Sequence, residues 1–297
     1  MFLSAVGTVN LMADNSAVES RFKRPSLQGG VRLRYESSGS STTLKEQWVR
    51  PPLHLAKTYH DKGWAINLLT SPTAGLLEGD QLEIDATVEA GAKAALISPA
   101  ACRVHTMSAG EAAIHQHYRV GEDAALDVFP APLVLQKDSK LNQFTKVETE
   151  ASSTLFLTEI ISPGRASYGE SFEFDSWKSK LRIYRSGTLV AYENFKVVPK
   201  INDVADWRSR FPDGPYVSIY FMTPDSVSEL IEPLNKLSTE KVAIGASPLR
   251  EGGLGIKILA QDGLALRKSV LQVRESLIEH SGIEFPHTLK RAQTFFY

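Results

Sequence analysis

Two histidines stand two residues apart in the segment IHQHY, as His115 and His117. On a strand that spacing turns both imidazoles to one face, where with a third ligand they could hold zinc, nickel or iron. The same pair also fits a solvated strand face, because no nearby third histidine or His-x-carboxylate spacing completes a metal set. Cys102 and His105 offer a second, sparser ligand pair. Three residues of strand set those two on opposite faces, so only a turn would unite them. Glycines and carboxylates gather in two further segments. In NLLTSPTAGLLEGDQLEID, Gly75 and Gly79 flank a turn that ends in Asp80 at a strand entrance. In TEIISPGRASYGESFEF, Glu159, Arg165 and Glu170 stand around Gly164 and Gly169. Glycine lets the backbone turn tightly, and carboxylates around one arginine can form a buried, mutually neutralising cluster, whether structural or functional. The chain has no Gly-x-Ser-x-Gly elbow, no phosphate loop ending in Gly-Lys-Ser/Thr and no His-Glu-x-x-His. A β-rich metalloenzyme built on His115 and His117 is therefore the enzymatic reading that remains.

The elements that must position these residues are mostly strands. From Val31 to about Val198, short runs alternate apolar and polar residues between Gly, Pro, Ser and Asp. Three segments align on a shift of 30 residues: LEIDATVEAGAKAALIS from Leu82, AAIHQHYRVGEDAALDV from Ala112 and NQFTKVETEASSTLFLT from Asn142. Each reads strand, turn, strand. The shift places Ile84, Ile114 and Phe144 at one position of the first strand, and Leu96, Leu126 and Phe156 at one position of the second. A fainter copy has its turn near Asp61 to Gly63, followed by Trp64, Ile66 and Leu68. Such a period predicts β-helix-like layers stacked on a shared core, since one layer alone cannot bury its apolar face. An antiparallel meander gives comparable spacing and is the plainer alternative.

A small helical portion follows near the C-terminus. Asp225 is the expected N-cap of SVSELIEPLNKLS, with Pro233 ending or kinking that helix. Over about 263–281, Leu266, Val270, Val273 and Leu277 recur at helical spacing and Gly282 supplies a stop. The polar face of this helix is expected to hold Arg267, Lys268, Arg274, Glu275 and Glu279.

The chain of 297 residues is 42% hydrophobic and 23% charged, enough for a sizeable core. A formal net charge of -1 supplies no basic field for nucleic acid. One cysteine permits neither an internal disulfide nor a multi-cysteine metal site and suits a reducing, cytoplasmic setting. Residues 1–28 are expected to form a loosely ordered leader before a single domain over 29–297, and no apolar run is long enough to span a membrane. A carbohydrate-binding solenoid would need stacked exposed aromatics, and Trp48, Trp64, Trp177 and Trp207 share no period.

Several segments taken in order carry a resemblance. GGVRLRYE comes first, then SPTAGLLEGDQLEID, EAGAKAALISPAACRVHTM, LDVFPAPLVL and finally EIISPGRASYGE. In this order and spacing, from about Gly29 to the C-terminal helix, the chain resembles the UreD (UreH) family of urease accessory proteins. The Glu…Gly-Arg-x-x-x-Gly-Glu element is the most specific part. The chain departs from the family pattern at Ala74-Gly75, where a pair of glycines is usual, and at Ser98-Pro99-Ala100-Ala101, where Thr-Gln-Ala-Ala or Thr-Gln-Ala-Ser is usual. It departs again at Arg103-Val104-His105, usually Lys-Val-Tyr. The resemblance implies a β-helix-like stack and a non-enzymatic protein that binds apo-urease and the F accessory protein, and through F the nickel-carrying G GTPase. It also implies an internal polar passage for nickel in transit, with no tightly bound cofactor. Asp80, Glu159 and Glu170, with Arg165 as charge partner, are the positions it assigns to that passage; His115, His117, Cys102 and His105 are weaker metal candidates.

Overall fold

Alternating burial along each segment makes strands with one face toward a core, and the structure, a computed structural model, describes residues 26–201 and 204–292. Residues 1–25 of the expected leader and 293–297 of the expected domain lie outside the described residues. The first half of the chain gives β1 (Gln28–Ser38), β2 (Ser41–Arg50), β3 (His54–Leu55), β4 (Tyr59–Asp61) and β5 (Trp64–Thr70). These are followed by β6 (Gln81–Val88), β7 (Lys93–Ile97), β8 (Cys102–Val104), β9 (Ala112–Val120), β10 (Ala125–Phe129) and β11 (Leu133–Leu135). Next come β12 (Lys140–Thr149), β13 (Thr154–Ser162), β14 (Ser176–Arg185), β15 (Thr188–Val197), helix α1 (Ala205–Arg210) and β16 (Tyr216–Met222). The chain continues through α2 (Ser228–Asn235), β17 (Val242–Pro248), β18 (Leu254–Ala260), α3 (Gly263–Ser281) and α4 (His287–Ala292).

These strands form a β-solenoid of stacked coils. Each coil gives one strand to a seven-stranded sheet, ordered β15-β14-β12-β9-β6-β1-β2, and one to a second sheet, ordered β17-β18-β16-β13-β10-β7-β5-β3. Successive coils pair in parallel through β6, β9 and β12 on one side and β7, β10 and β13 on the other. The short strands β8 and β11 make a narrow third side. Antiparallel neighbours close the ends: β2 and β15 on the first sheet, and β16, β18 and β17 on the second. One apolar core fills the space between the sheets, with Leu33, Leu82, Ile114 and Leu141 facing Leu96, Leu126 and Leu155. A second core lies between the outer face of the second sheet and the helices.

The layering matches the expected stack, but its register does not keep to thirty residues. Leu82 lies beside Ile114 and Leu126 beside Ala94, even offsets that preserve side-chain parity. The next coil enters at an odd offset: Ile114 lies beside Gln143 and Leu126 beside Leu155. One residue of slip turns a strand position to the opposite face. Phe144 therefore points outward beside His115, with ring centroids 6.2 Å apart, and Phe156 joins the helix-side core instead of the inter-sheet core. In the fainter copy, Ile66 lies beside Ala95 and likewise faces the helix side.

Helix α3 begins where Asp262 accepts a hydrogen bond from the Ala265 amide at 2.8 Å and ends at Gly282, whose φ of 61° is the left-handed stop expected there. Leu266, Val270, Val273 and Leu277 are buried, each contributing about 1.5–3 kcal/mol relative to exposure. Arg274 does not lie on the polar face: it is fully buried against β10. Helix α2 starts after Val227 and not at Asp225, because the Ser226 and Ser228 hydroxyls bond each other (2.8 Å) in the entering turn and no side chain caps the first amides. Pro233 lies inside it without ending it: the proline offers the Glu229 carbonyl no amide, but the helix runs on to Asn235 and the Lys236 amide bonds the Glu232 carbonyl.

Candidate functional site

Strand periodicity puts every second residue of β9, β12 and β13 into the inter-sheet layer, and several of those residues are polar. Gln116 and Tyr118 come from β9, Gln143 and Thr145 from β12, and Glu159 from β13. The Tyr118 hydroxyl donates to Gln116 Oε1 at 2.9 Å, and Gln116 Nε2 donates to Thr145 Oγ1 at 3.1 Å. Glu159 Oε1 then accepts from Thr145 Oγ1 at 2.7 Å and from Gln143 Nε2 at 2.9 Å. Glu159, Gln143 and Gln116 form part of the wall of a cavity of about 140 Å³ that also meets Thr70, Ser98 and Cys102. Burial pushes the Glu159 carboxyl above the usual carboxylate range, although the Thr145 hydrogen bond and the Lys257 ammonium pull it back.

Beyond Glu159 the polar layer continues. Ser218 of β16 lies beside Glu159 in register and beside Lys257 of β18. The Lys257 ammonium donates to Ser218 Oγ and Tyr220 Oη, both at 2.9 Å, and pairs with the Glu193 carboxylate of β15. Glu193 and Lys257 each retain partial exposure. A polar seam therefore crosses the inter-sheet layer, from the cavity at Cys102 to the β15 margin, where an apolar core would otherwise be continuous. Placing these groups between sheets costs free energy unless they are hydrogen-bonded, and most are. One cluster joins Tyr118, Gln116, Thr145, Gln143 and Glu159, and a second joins Ser218, Tyr220, Lys257 and Glu193. The Lys257 charge acts on Glu159 between them, while Gln143 Oε1 is buried without a hydrogen-bond partner among the described residues.

The other carboxylates stand elsewhere. Asp80 is buried at the entrance of β6 and accepts from the Leu27 amide (2.8 Å) and the Leu77 amide (2.9 Å), tying the start of β1 to the turn. Gly75 just ahead makes that turn possible: at φ 136°, a Cβ there would lie 2.2 Å from the Arg103 carbonyl oxygen. Arg165 and Glu170 form a two-pronged ion pair on the loop after β13, with Arg165 Nε 2.8 Å from Glu170 Oε2 and its guanidinium stacked on Tyr168 at 4.3 Å. This arginine holds the Glu170 carboxyl below its usual range. Gly164 allows the loop to close, since a Cβ there would meet the Glu170 carbonyl oxygen at 2.3 Å. Arg165 and Glu170 pair, but partly exposed and not within the buried cluster expected. Glu159 and Asp80 do not join them, so the four residues are three separate features.

His115 and His117 do share the outward face of β9. His117 Nε2 lies 2.5 Å from Glu148 Oε2, and its Nδ1 accepts from Arg119 at 2.8 Å, so both ring nitrogens are engaged. His115 leans toward Phe144. Cys102 stays on β8 at the cavity, where burial pushes its thiol up to about 11, while His105 Nε2 meets the Ala74 carbonyl at 2.9 Å. Among the described residues, no group of three or more His, Cys, Asp or Glu side chains is placed to hold a metal ion. Of the tryptophans, Trp64 and Trp177 are buried and Trp48 is exposed, so no aromatic ladder forms. The seam partners Gln116, Gln143, Thr145, Ser218, Lys257 and Glu193 were not read from the sequence. Their signal is a polar residue at the inward parity of an otherwise apolar strand, as with Gln116 between Ile114 and Tyr118.

Fold and site together define a β-solenoid with a lined polar seam through its inter-sheet layer and an added helical layer. The chain belongs to the UreD urease accessory protein family, whose model matches residues 27–291. It is 32% identical to the urease accessory protein UreD of Opitutus terrae, an alignment covering 80% of this chain and 89% of that protein. It is 28% identical to UreD of Acetivibrio thermocellus over 82% of this chain and 95% of that protein. Urease accessory protein UreH of Helicobacter hepaticus is 33% identical over 52% of this chain and 62% of its own length. These relatives are named as accessory proteins and not as enzymes. No helix among the described residues is long and apolar enough to cross a membrane.

Proposed function

We propose that this chain serves urease maturation as a non-enzymatic, cytoplasmic scaffold that binds apo-urease and the F accessory protein, and the G GTPase through F, and that nickel crosses its inter-sheet seam on the way to urease. The observation that carries this reading is the Glu159 carboxylate, set in a cavity wall and continued by hydroxyl, amide and carboxylate groups to the opposite margin. A conduit needs several weak stations, because a site that binds tightly does not release. Oxygen ligands suit a borderline divalent ion in transit better than thiolates, which would retain it. In this reading Glu159 is the central station. Asp80 and Glu170, the latter held by Arg165, guard neighbouring turns and act on passage through loop geometry.

The test compares Glu159→Gln, Asp80→Asn and Glu170→Gln for complex formation with apo-urease and for nickel content of the urease produced. Glu159→Gln is expected to leave the complex intact and to lower nickel loading the most. Full loading with Glu159→Gln in an intact complex would overturn the passage, and loss of the complex in wild type would overturn the scaffold.

A further inference from the structure

The outward face of the seven-stranded sheet is electrostatically divided. On β1, β6 and β9 the cations are matched: Arg32 faces Glu83 at 3.9 Å, Arg34 meets Glu36 (2.6 Å) and Glu46 of β2 (2.7 Å), and Arg119 meets Asp85 at 3.0 Å. The exposed Lys45 and Arg50 on the β2 edge are isolated from one another and, among the described residues, from any carboxylate. On β12, β14 and β15 the outward residues include Lys146, Lys178, Lys180, Arg182 and Lys196 against the single carboxylate of Glu148. Lys146 is neutralised by Glu148 at 2.7 Å, and Lys178 by Glu111 at 2.7 Å. Lys180, Arg182 and Lys196 have no carboxylate within ion-pair distance among the described residues. Register sets them together, with Lys180 beside Asn194, Arg182 beside Tyr192 and Lys178 beside Lys196. Tyr192 is 51% exposed beneath the Arg182 guanidinium, and Leu189 further along β15 is also exposed. Strand β15 ends the sheet, so among the described residues no further strand pairs with its outer edge.

We propose that this margin is a docking strip for an extended acidic segment of a partner protein, which pairs along β15 and sets alternate carboxylates against Lys180, Arg182 and Lys196. Lysine on an edge strand commonly serves only to discourage unwanted pairing. Lys196 alone would do that, but Lys180 lies on the penultimate strand, where no edge needs guarding. Charges that repel a neutral or basic strand also select an acidic one. From Lys178 to Arg182 the strip runs about 13 Å at roughly 3.3 Å per residue, and three unpaired cations are few for a nucleic acid, whose affinity rests on many phosphate contacts. Exposed aromatic and aliphatic side chains beside the cations favour a polypeptide. The inner face of the same strand carries Glu193, so a bound segment would lie over the outer end of the seam. The proposal stands whether or not nickel uses that seam.

The full chain is titrated with a fluorescein-labelled ten-residue peptide of alternating glutamate and valine. The same peptide with lysine for glutamate, a single-stranded DNA oligomer and phosphatidylserine vesicles are run alongside. Saturable binding of the acidic peptide is expected, weakening as salt rises, lowered about tenfold or more in the triple variant Lys180→Glu, Arg182→Glu, Lys196→Glu, with the lysine peptide silent. Hydrogen exchange on the wild type is expected to show β15 amides protected by the acidic peptide, a readout that holds even if the triple variant misfolds. No binding, binding unchanged in a folded triple variant, tighter binding of DNA or vesicles, or protection away from β15 would each overturn the proposal.

Discussion

Arg274 of α3 and Asp127 of β10 form an ion pair in which neither side chain reaches solvent, with Arg274 Nη2 2.9 and 2.7 Å from the two carboxylate oxygens. Arg274 also donates to Thr158 Oγ1 at 3.2 Å and lies over the Phe129 ring at 4.4 Å. The pair fastens the helical layer to the solenoid at one register. Removing one partner leaves a buried charge without its neutraliser, which costs about 3–5 kcal/mol, whereas replacing both with apolar side chains of similar size is close to neutral. Arg274→Met alone and Asp127→Leu alone should each lose most of that amount in urea denaturation. The double variant should recover the greater part of the loss, and a double variant as unstable as the sum of the singles would refute the coupling.

That pair also shows what the sequence could and could not disclose. The stripe of Leu266, Val270, Val273 and Leu277 and the stop at Gly282 follow from a helical period that local backbone geometry enforces, and both were legible. Arg274 lies four residues after Val270, on the flank of the same stripe, but its charge suggested solvent because its partner is 147 positions away in sequence. The stacked coils were legible through repeated turns. The outward turn of Phe144 and the helix-side placement of Phe156 were not, because one odd offset between coils is invisible until pairing is known. Glu159 was singled out, but its companions Gln143 and Thr145 emerge only once parity places them inside.

Glu78 gives an acid-limb prediction. Backbone amides of Gly110 and Ala109, with the hydroxyl and amide of Ser108, hold its carboxyl at about 2, below the usual 4.5. The folded state thus gives up this proton more readily than the unfolded chain does. The group's contribution is complete above pH 4.5 and is lost as pH falls toward 2. Glu78→Gln should therefore flatten the decline of Tm with acid in that window and leave the difference between the proteins constant at higher pH. A parallel decline in both proteins would remove Glu78 from the account.

Gly75→Ala should disturb the turn that leads to Asp80. The added Cβ would meet a carbonyl oxygen at 2.2 Å, and the φ of 136° is one that alanine rarely adopts. Strain of this kind costs on the order of 1–3 kcal/mol. Because Leu76 donates to the Arg103 carbonyl and His105 donates to the Leu76 carbonyl, hydrogen exchange should rise first at the Leu76 and His105 amides. Unchanged exchange at both amides would show that the close approach carries no strain.

Glu159 yields the opposite pH dependence from Glu78. Burial raises its carboxyl above the usual range, so the folded state holds this proton more firmly than the unfolded chain. Its stability contribution is present below the unfolded value and is lost as pH rises through the folded one. Glutamine retains an oxygen that can accept from Thr145 and Gln143 but never ionises. Glu159→Gln should therefore match wild type in Tm at acid pH and gain on it progressively toward neutral and alkaline pH. Nickel loading through the same carboxylate requires the ionised form, so loading should rise through the pH range in which the stability difference between wild type and Glu159→Gln reaches its plateau, because that plateau marks ionisation in the folded state. A constant Tm difference across the whole range would show that Glu159 titrates as an ordinary carboxylate, and a loading curve flat through that window would separate its ionisation from nickel transfer.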